Sequence, residues 1–126
     1  MTTQEVAEKL VAFCREGNFE ACLQELYSPN VESIEPEGST FETRVQGLDA
    51  LKQKGQQWEE MVAQVHGNEI SDPIVAENFF SITMKMKVTL KGMSEPINMD
   101  EVCVYRVANG KVVTEQFFYT PMEVPA

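Results

Sequence analysis

The first half of the chain carries apolar residues at helical spacing. Thr2 and Glu5 match a capping box, which predicts the start of a first helix. The apolar residues that then recur on one helix face are Val6, Leu10, Phe13 and Cys14. This helix is expected to end near Arg15, because Gly17 breaks the pattern. Asn18 can cap a second, shorter helix, whose apolar stripe consists of Phe19, Leu23 and Leu26.

A short strand and a third helix are predicted next. Val31 and Ile34 indicate the strand, and a loop through Thr43 follows it. Residues 44–47 then lead into the third helix, where one face is formed by Leu51, Trp58 and Val62. Gly55, in the middle of that helix, either weakens it or lets another element approach closely.

The second half of the chain alternates apolar and polar residues in the way of β-strands. The predicted strands are residues 65–75, 80–90, 97–107 and 111–119. The first is the weakest and is expected to end or bend near Asp72 and Pro73. Asn109 and Gly110 supply a two-residue hairpin turn that tolerates positive φ.

Helices followed by antiparallel strands indicate an α+β fold, in which the helices cover one face of a strongly curved sheet. The last two strands are apolar on both alternations, since Val102 and Val104 lie on one face and Cys103 and Tyr105 on the other. An antiparallel strand that faces water on one side does not need this pattern. We therefore expect a homodimer that covers the outer face of the sheet.

Length, charge and composition limit the partners and the location. The 126 residues predict a single domain over residues 1–126. No apolar run approaches the roughly 20 residues that cross a bilayer, so no membrane partner is expected. The start of the chain has no basic end followed by an apolar stretch, which predicts a cytoplasmic protein. The net charge of -10 repels phosphate backbones and argues against nucleic acid.

The cysteines fit the same location. Cys14, Cys22 and Cys103 lie among apolar neighbours and have neither zinc nor redox spacing. Buried free thiols in a reducing compartment are therefore expected.

Three stretches carry a resemblance to a known family: REGNFEACLQELYSPNVESIEP, VQGLDALKQ and VCVYRVANGKVVTEQFFY. With them the chain resembles the SnoaL-like branch of the nuclear transport factor 2-like superfamily, which includes polyketide cyclases and ketosteroid isomerases. The resemblance implies a cone-shaped, curved, mixed but mostly antiparallel sheet that wraps three helices from the N-terminal half. It also implies dimers formed through the outer face of the sheet.

The resemblance assigns a catalytic role to Glu35. This residue, followed by Pro36, falls where the ketosteroid isomerases carry a proton-shuttling aspartate. An acid at the mouth of an apolar cone loses hydration, so a pKa raised toward the range of a general base is expected. The isomerases' oxyanion-binding tyrosine appears here as Leu10 and their second acid as Cys103. Steroid isomerisation is therefore not expected.

Two further acids are candidates for the same cavity. Counting back from the aromatic end of the last strand, Glu115 shares a face with Phe117 and Tyr119. Glu101 shares a face with Tyr105 in the same way. Carboxylates that are close together in an apolar site cannot all stay ionised, so at least one is expected to hold a proton near neutral pH.

The remaining candidates are a histidine and a set of wall residues. His66 is the only histidine and can relay a proton to a carboxylate, although a structural or exposed position is the alternative. The predicted ligand-binding residues are Trp58, Cys103, Tyr105, Phe117 and Tyr119, for which ordinary core packing is the alternative. No spacing indicates a metal site.

Two functions follow from this sequence. The first is a small acid-base enzyme of the isomerase, cyclase or dehydratase type, which acts without a cofactor on an apolar compound that carries a carbonyl group. Glu35 moves the proton, and His66, Tyr105, Glu101 or Glu115 orients it or stabilises the enolate. The alternative is a non-catalytic module that holds a small apolar ligand or only dimerises.

Overall fold

A computed structural model describes residues 1–121 of the chain. The predicted domain over residues 1–126 also includes residues 122–126, which lie outside the described residues. The helices are α1 (Thr3–Arg15), α2 (Phe19–Leu26) and α3 (Leu48–Met61). The strands are β1 (Tyr27–Ile34), β2 (Arg44–Gln46), β3 (Val62–Ile70), β4 (Ile74–Ala76), β5 (Phe79–Leu90), β6 (Ile97–Ala108) and β7 (Lys111–Phe118).

The helical hairpin predicted at the N-terminus is present. Thr2 and Glu5 form the capping box of α1, and the helix ends at Arg15. Gly17 follows with a φ of 72°, a left-handed conformation that favours glycine. Asn18 occupies the N-cap position of α2, but within residues 1–121 its side chain makes no capping hydrogen bond.

Helix α3 ends one residue before the sequence pattern predicted. Met61 is its last residue, and Val62 already belongs to β3. The prediction that Val62 continues the apolar face of α3 is therefore wrong. Gly55 lies in the helix interior, where glycine is about 1 kcal/mol less favourable than alanine.

The strands agree with the prediction in type and differ at some boundaries. The weak strand over residues 65–75 is two strands, β3 and β4, which are separated at Ser71–Pro73, as the predicted bend near Pro73 indicates. The Asn109-Gly110 turn joins β6 to β7 with φ values of 52° and 74°. Strand β2 was not predicted. It pairs antiparallel with the end of β1.

The strands form one open sheet in the order β2-β1-β7-β6-β5-β3, with β4 paired to β5. Strands β1 and β7 are parallel, and the other pairs are antiparallel. The core lies between the helices and the inner face of the sheet, with Val6, Leu10 and Phe80 among its buried residues. The predicted α+β fold, a curved and mostly antiparallel mixed sheet around three helices, is confirmed.

A β-bulge turns Glu115 toward the helices. Arg106 of β6 pairs with Thr114 of β7. The next residue, Val107, pairs with Val112, so β7 contains an extra residue at this point. Val112 and Glu115 are both buried, although a spacing of three residues in a regular strand would place them on opposite faces.

The outer face of the sheet exposes apolar side chains. Val102 of β6 pairs directly with Phe118 of β7, and these residues are 44% and 49% exposed. Phe79 of β5 is also exposed. The apolar outer alternation predicted from the sequence is therefore present as an apolar patch.

The helices of residues 1–121 are all too short or too polar to span a bilayer. Cys14, Cys22 and Cys103 are free thiols and are buried, as predicted.

Candidate functional site

A cavity of about 220 Å³ lies between α2, α3 and the inner face of the sheet. Its wall is mostly apolar. The aliphatic and thioether side chains of the wall include Leu23, Leu51, Met84, Met86 and Met99, and the aromatic ones include Phe41, Trp58, Tyr105, Phe117 and Tyr119. This volume is smaller than the roughly 300–1,000 Å³ of pockets for drug-sized ligands, so the cavity fits a small molecule.

Glu35 reaches the cavity from the end of β1. Its backbone N–H donates to the carbonyl oxygen of Thr43, which fixes the start of the loop that covers this side of the cavity. The side chain is 5% exposed. The Tyr119 hydroxyl donates to its Oε1 at 2.5 Å, and the Lys54 ammonium contacts its Oε2 at 2.5 Å. Both carboxylate oxygens therefore have a strong donor.

Lys54 lines the cavity and was not among the residues predicted from the sequence. It lies on α3, three residues after Leu51 and four before Trp58, and thus on the face that lines the cavity. Its Nζ donates to the Ser33 hydroxyl at 2.7 Å and lies 4.9 Å from the centre of the Phe117 ring. The sequence did contain a signal for Lys54, because this lysine interrupts the predicted apolar face of the third helix.

Glu115 projects into the cavity from β7 and is 6% exposed. The Ser33 hydroxyl donates to its Oε2 at 3.0 Å, so Ser33 connects Lys54 to Glu115. Burial raises the pKa of Glu115, while the hydrogen bond from Tyr27 and the charge of Lys54 oppose the rise.

Glu101 lines the cavity from β6, and its hydrogen bonding is weaker than that of Glu35. Burial raises its pKa to about 7, and the negative charge of Glu35 adds to the rise. Within residues 1–121, the hydrogen bond found for its carboxyl is a long one from the Cys103 thiol, at 3.6 Å. Part of the Glu101 population therefore holds a proton near neutral pH.

The predicted wall residues lie at the cavity with one exception. Trp58, Tyr105, Phe117 and Tyr119 line it. Tyr105 is buried and stacks on Phe80 with ring centres 4.7 Å apart, and Tyr119 also shares a 2.6 Å hydrogen bond with Ser39. Cys103 is fully buried in the core next to Glu101 and does not belong to the wall, because the sheet and the helices cover its thiol.

The structure does not bring His66 to the acids. This residue lies on β3 and is exposed, and its Nε2 lies 2.7 Å from the Thr89 hydroxyl. On β5, Thr89 alternates with the buried Val88 and Leu90 and therefore faces outward. The His66 ring is thus on the outer side of the sheet, away from the cavity.

In residues 1–121, no group of three or more His, Cys, Asp or Glu side chains is arranged to hold a metal ion.

Comparison with known proteins gives a family and several structural neighbours. A family model described as SnoaL-like domain matches residues 1–119. A candidate SnoaL-like polyketide cyclase from Mesorhizobium loti is 33% identical, with a TM-score of 0.86 and coverage of 94% of this chain and 100% of that chain. No curated protein matches the chain.

Two more distant neighbours share the fold alone. An NTF2-like protein of unknown function from Burkholderia pseudomallei is 16% identical, with a TM-score of 0.78 and coverage of 95% of this chain and 92% of that chain. A protein from Catenulispora acidiphila with a ketosteroid isomerase-like fold, solved in complex with trimethylamine, is 17% identical. Its TM-score is 0.74, and the match covers 94% of this chain and 88% of that chain.

Proposed function

Because the chain belongs to the SnoaL-like domain family, which includes polyketide cyclases and isomerases, we propose that it moves a proton on a small apolar carbonyl compound without a cofactor. One observation carries this proposal. Glu35, a carboxylate with two strong donors, and Glu101, a carboxyl whose pKa burial raises to about 7, line the same apolar cavity.

Glu35 is the general base in this mechanism. Its ion pair with Lys54 and its hydrogen bond from Tyr119 hold the carboxylate in position, and each oxygen keeps a second lone pair for a substrate proton. A proton on the carbon next to a carbonyl group moves to Glu35, and negative charge develops on the carbonyl oxygen.

Glu101 stabilises that charge in its protonated form. A neutral carboxyl donates a hydrogen bond to the developing enolate oxygen, and an apolar surrounding strengthens this bond. The apolar wall excludes water, which would compete for both positions. Glu115 acts indirectly, because it holds Ser33, and Ser33 in turn holds Lys54 against Glu35. His66 has no part in this mechanism.

Hydrogen exchange on a model ketone tests the proposal. We expect the protein to accelerate deuterium uptake at the carbon next to the carbonyl group of α-tetralone, a two-ring ketone, in deuterium oxide, as followed by proton NMR. Glu35→Gln should remove the acceleration, and Glu37→Gln, at an exposed acid in the adjacent loop, should keep it. Exchange by Glu35→Gln at the wild-type rate would overturn the assignment of the base.

A second candidate function is ligand binding without turnover. It is favoured by the same contacts, since both oxygens of Glu35 are already engaged with Lys54 and Tyr119. The protein from Catenulispora acidiphila, which shares the fold, was solved with a bound small amine. Binding of α-tetralone with no accelerated exchange would favour this alternative over the enzyme.

We propose a homodimer formed by the outer face of the sheet. The directly paired side chains of Val102 and Phe118 are both about half exposed, and Val104 lies on the same face two residues along β6. Burying such a patch against its copy removes apolar area from water. We also propose that residues 1–126 act as one domain. We further propose a cytoplasmic location, because the buried free cysteines fit a reducing compartment.

A further inference from the structure

Gly55 lies on the face of α3 that lines the cavity. It follows Leu51 by four residues and precedes Trp58 by three, so it shares their side of the helix. The side chains of Leu51, Lys54 and Trp58 all contribute to the cavity wall, and the backbone of Gly55 does so as well.

The usual structural reasons for a glycine do not apply at this position. Gly55 lies within a regular helix and does not have a positive φ. A Cβ added there would meet no heavy atom within 4 Å among residues 1–121, so no neighbouring element needs the space. Glycine in a helix interior also destabilises the helix relative to alanine. The sequence-based expectation that Gly55 lets another element approach closely is therefore wrong.

The missing side chain at Gly55 affects how the cavity opens to the surface. Gly55 is exposed and also lines the cavity, so the cavity reaches the protein surface beside it. The aromatic rings of Phe41 and Phe117 lie 5.8 and 4.9 Å from Nζ of the adjacent Lys54. Aromatic rings thus surround the ammonium of the Lys54–Glu35 pair, which lines the same cavity as Gly55.

We infer that Gly55 forms the entrance of the cavity and sets the width of the small apolar ligand, which passes over the helix where a side chain is missing. This inference rests on the ligand uptake proposed above and does not depend on proton transfer. A Cβ at this position would meet no core atom, so a longer side chain would start from open space at the entrance.

Quenching of tryptophan fluorescence tests the entrance without a ligand. Trp58 is the only tryptophan in the chain and lines the cavity, so acrylamide quenching of its fluorescence reports access to that wall. We expect Gly55→Leu to lower the Stern–Volmer quenching constant. Gln56→Leu, at the exposed adjacent position, should leave the constant unchanged.

Calorimetric titration with α-tetralone tests the width of the ligand. We expect Gly55→Leu to weaken binding about tenfold or more, because Gly55 lines the cavity and a leucine there would take space from the bound ligand. Gly55→Ala should weaken it less while raising Tm by about 3–5 °C, since alanine favours the helix. A purely structural role would move stability and affinity in the same direction.

Each result decides between the alternatives. If Gly55→Leu matches Gln56→Leu in both quenching and affinity, the entrance inference is overturned. If Gly55→Leu loses α-tetralone binding but the wild-type protein accelerates no exchange, the inference stands and the enzyme proposal fails. If the wild-type protein does not bind α-tetralone, an unchanged quenching constant in Gly55→Leu overturns the inference, and a lowered constant supports it.

Discussion

At the scale of single residues, the acids of the cavity differ because their neighbours differ. Glu35 receives donors from Lys54 and Tyr119, whereas the hydrogen bond described for Glu101 is the long one from a thiol. The same residue type is therefore an ion-pair partner at one position and a partly protonated acid at another. Strand alternation grouped Glu101 with Tyr105 and Glu115 with Tyr119 but left open which face is the inner one, and the structure places both acids at the cavity. Alternation could not predict which acid would meet the lysine, because that contact joins a helix to the sheet.

The pH dependence of stability follows from Glu101. Its pKa rises from 4.5 to about 7 on folding, so the folded state holds its proton more tightly than the unfolded state. The carboxyl therefore lowers the free energy of unfolding as the pH rises from about 4.5 through about 7, by on the order of 3 kcal/mol in total. Glu101→Gln should remove this loss.

Urea unfolding at both ends of this pH window measures the effect. We expect the stability gain of Glu101→Gln over the wild type to be larger at about pH 8 than at about pH 4.5, because only the wild-type carboxyl ionises between them. A gain that is equal at the two pH values would contradict the assignment of the raised pKa to Glu101.

The Lys54–Glu35 pair predicts a strong coupling between two substitutions. The side chains are 15% and 5% exposed, so Lys54→Met leaves a buried carboxylate without its cation. We expect a loss of about 3–5 kcal/mol in the free energy of unfolding. Adding Glu35→Gln should restore much of this loss, because the double variant buries neither charge.

A double-mutant cycle by chemical denaturation measures this coupling. Additive losses from the two substitutions would show that the charges do not interact. Lys9→Met, at a lysine whose contact with Glu25 is half exposed, is the matched control and should change stability by less than about 1 kcal/mol.

At the scale of elements, the sequence predicted the helices and strands whose apolar residues recur with a strong periodicity. Helices α1 and α2 and the hairpin of β6 and β7 follow from apolar spacing and the Asn109-Gly110 turn. Strand β2 has three residues, which are too few for a visible alternation. The side chain of its Arg44 forms an ion pair with Glu32 at 2.8 Å. The bulge in β7 could not be predicted from the alternation of apolar residues either. Counted forward from Val112, that alternation places Glu115 on the outer face of the sheet.

The same substitution should have opposite effects in a turn and in a helix. Gly110 has a φ of 74°, and an added Cβ would lie 3.1 Å from the Met1 backbone nitrogen, so Gly110→Ala should lower the free energy of unfolding by about 1–2 kcal/mol. Gly55→Ala should raise it by about 1 kcal/mol. Thermal unfolding of both variants checks the signs, and a stabilising Gly110→Ala would contradict the turn assignment.

At the scale of the whole molecule, the sequence predicted the layers of the fold but not all of the site. Helices before strands, with two doubly apolar strands at the end, were sufficient for the α+β architecture. The position of His66 could not be predicted from the sequence, because the residues of a polar strand such as β3 carry little information about which of its faces lies outward. Its single buried residue, Ile70, lies at the far end of the strand.

The proposed dimer predicts a change in mass. Val102→Glu places a charge in the apolar patch and should convert a dimer at micromolar concentration into a monomer, because burying an unpaired charge is unfavourable. Asn98→Glu, at an exposed position on the same strand, should leave the dimer intact. Sedimentation velocity measures both, and a monomeric wild-type protein would rule out the dimer.

The parallel pairing of β1 with β7 has a consequence for synthesis of the chain. Glu35 and Tyr119, which share a hydrogen bond, are separated by 84 positions in sequence. A ribosome that has released the helices and the first strand has therefore not yet supplied the other wall of the cavity. Closing so long a loop is entropically unfavourable and slow. The edge of β1 that pairs with β7 stays unpaired until β7 emerges, and this interval is when a chaperone has surface to bind.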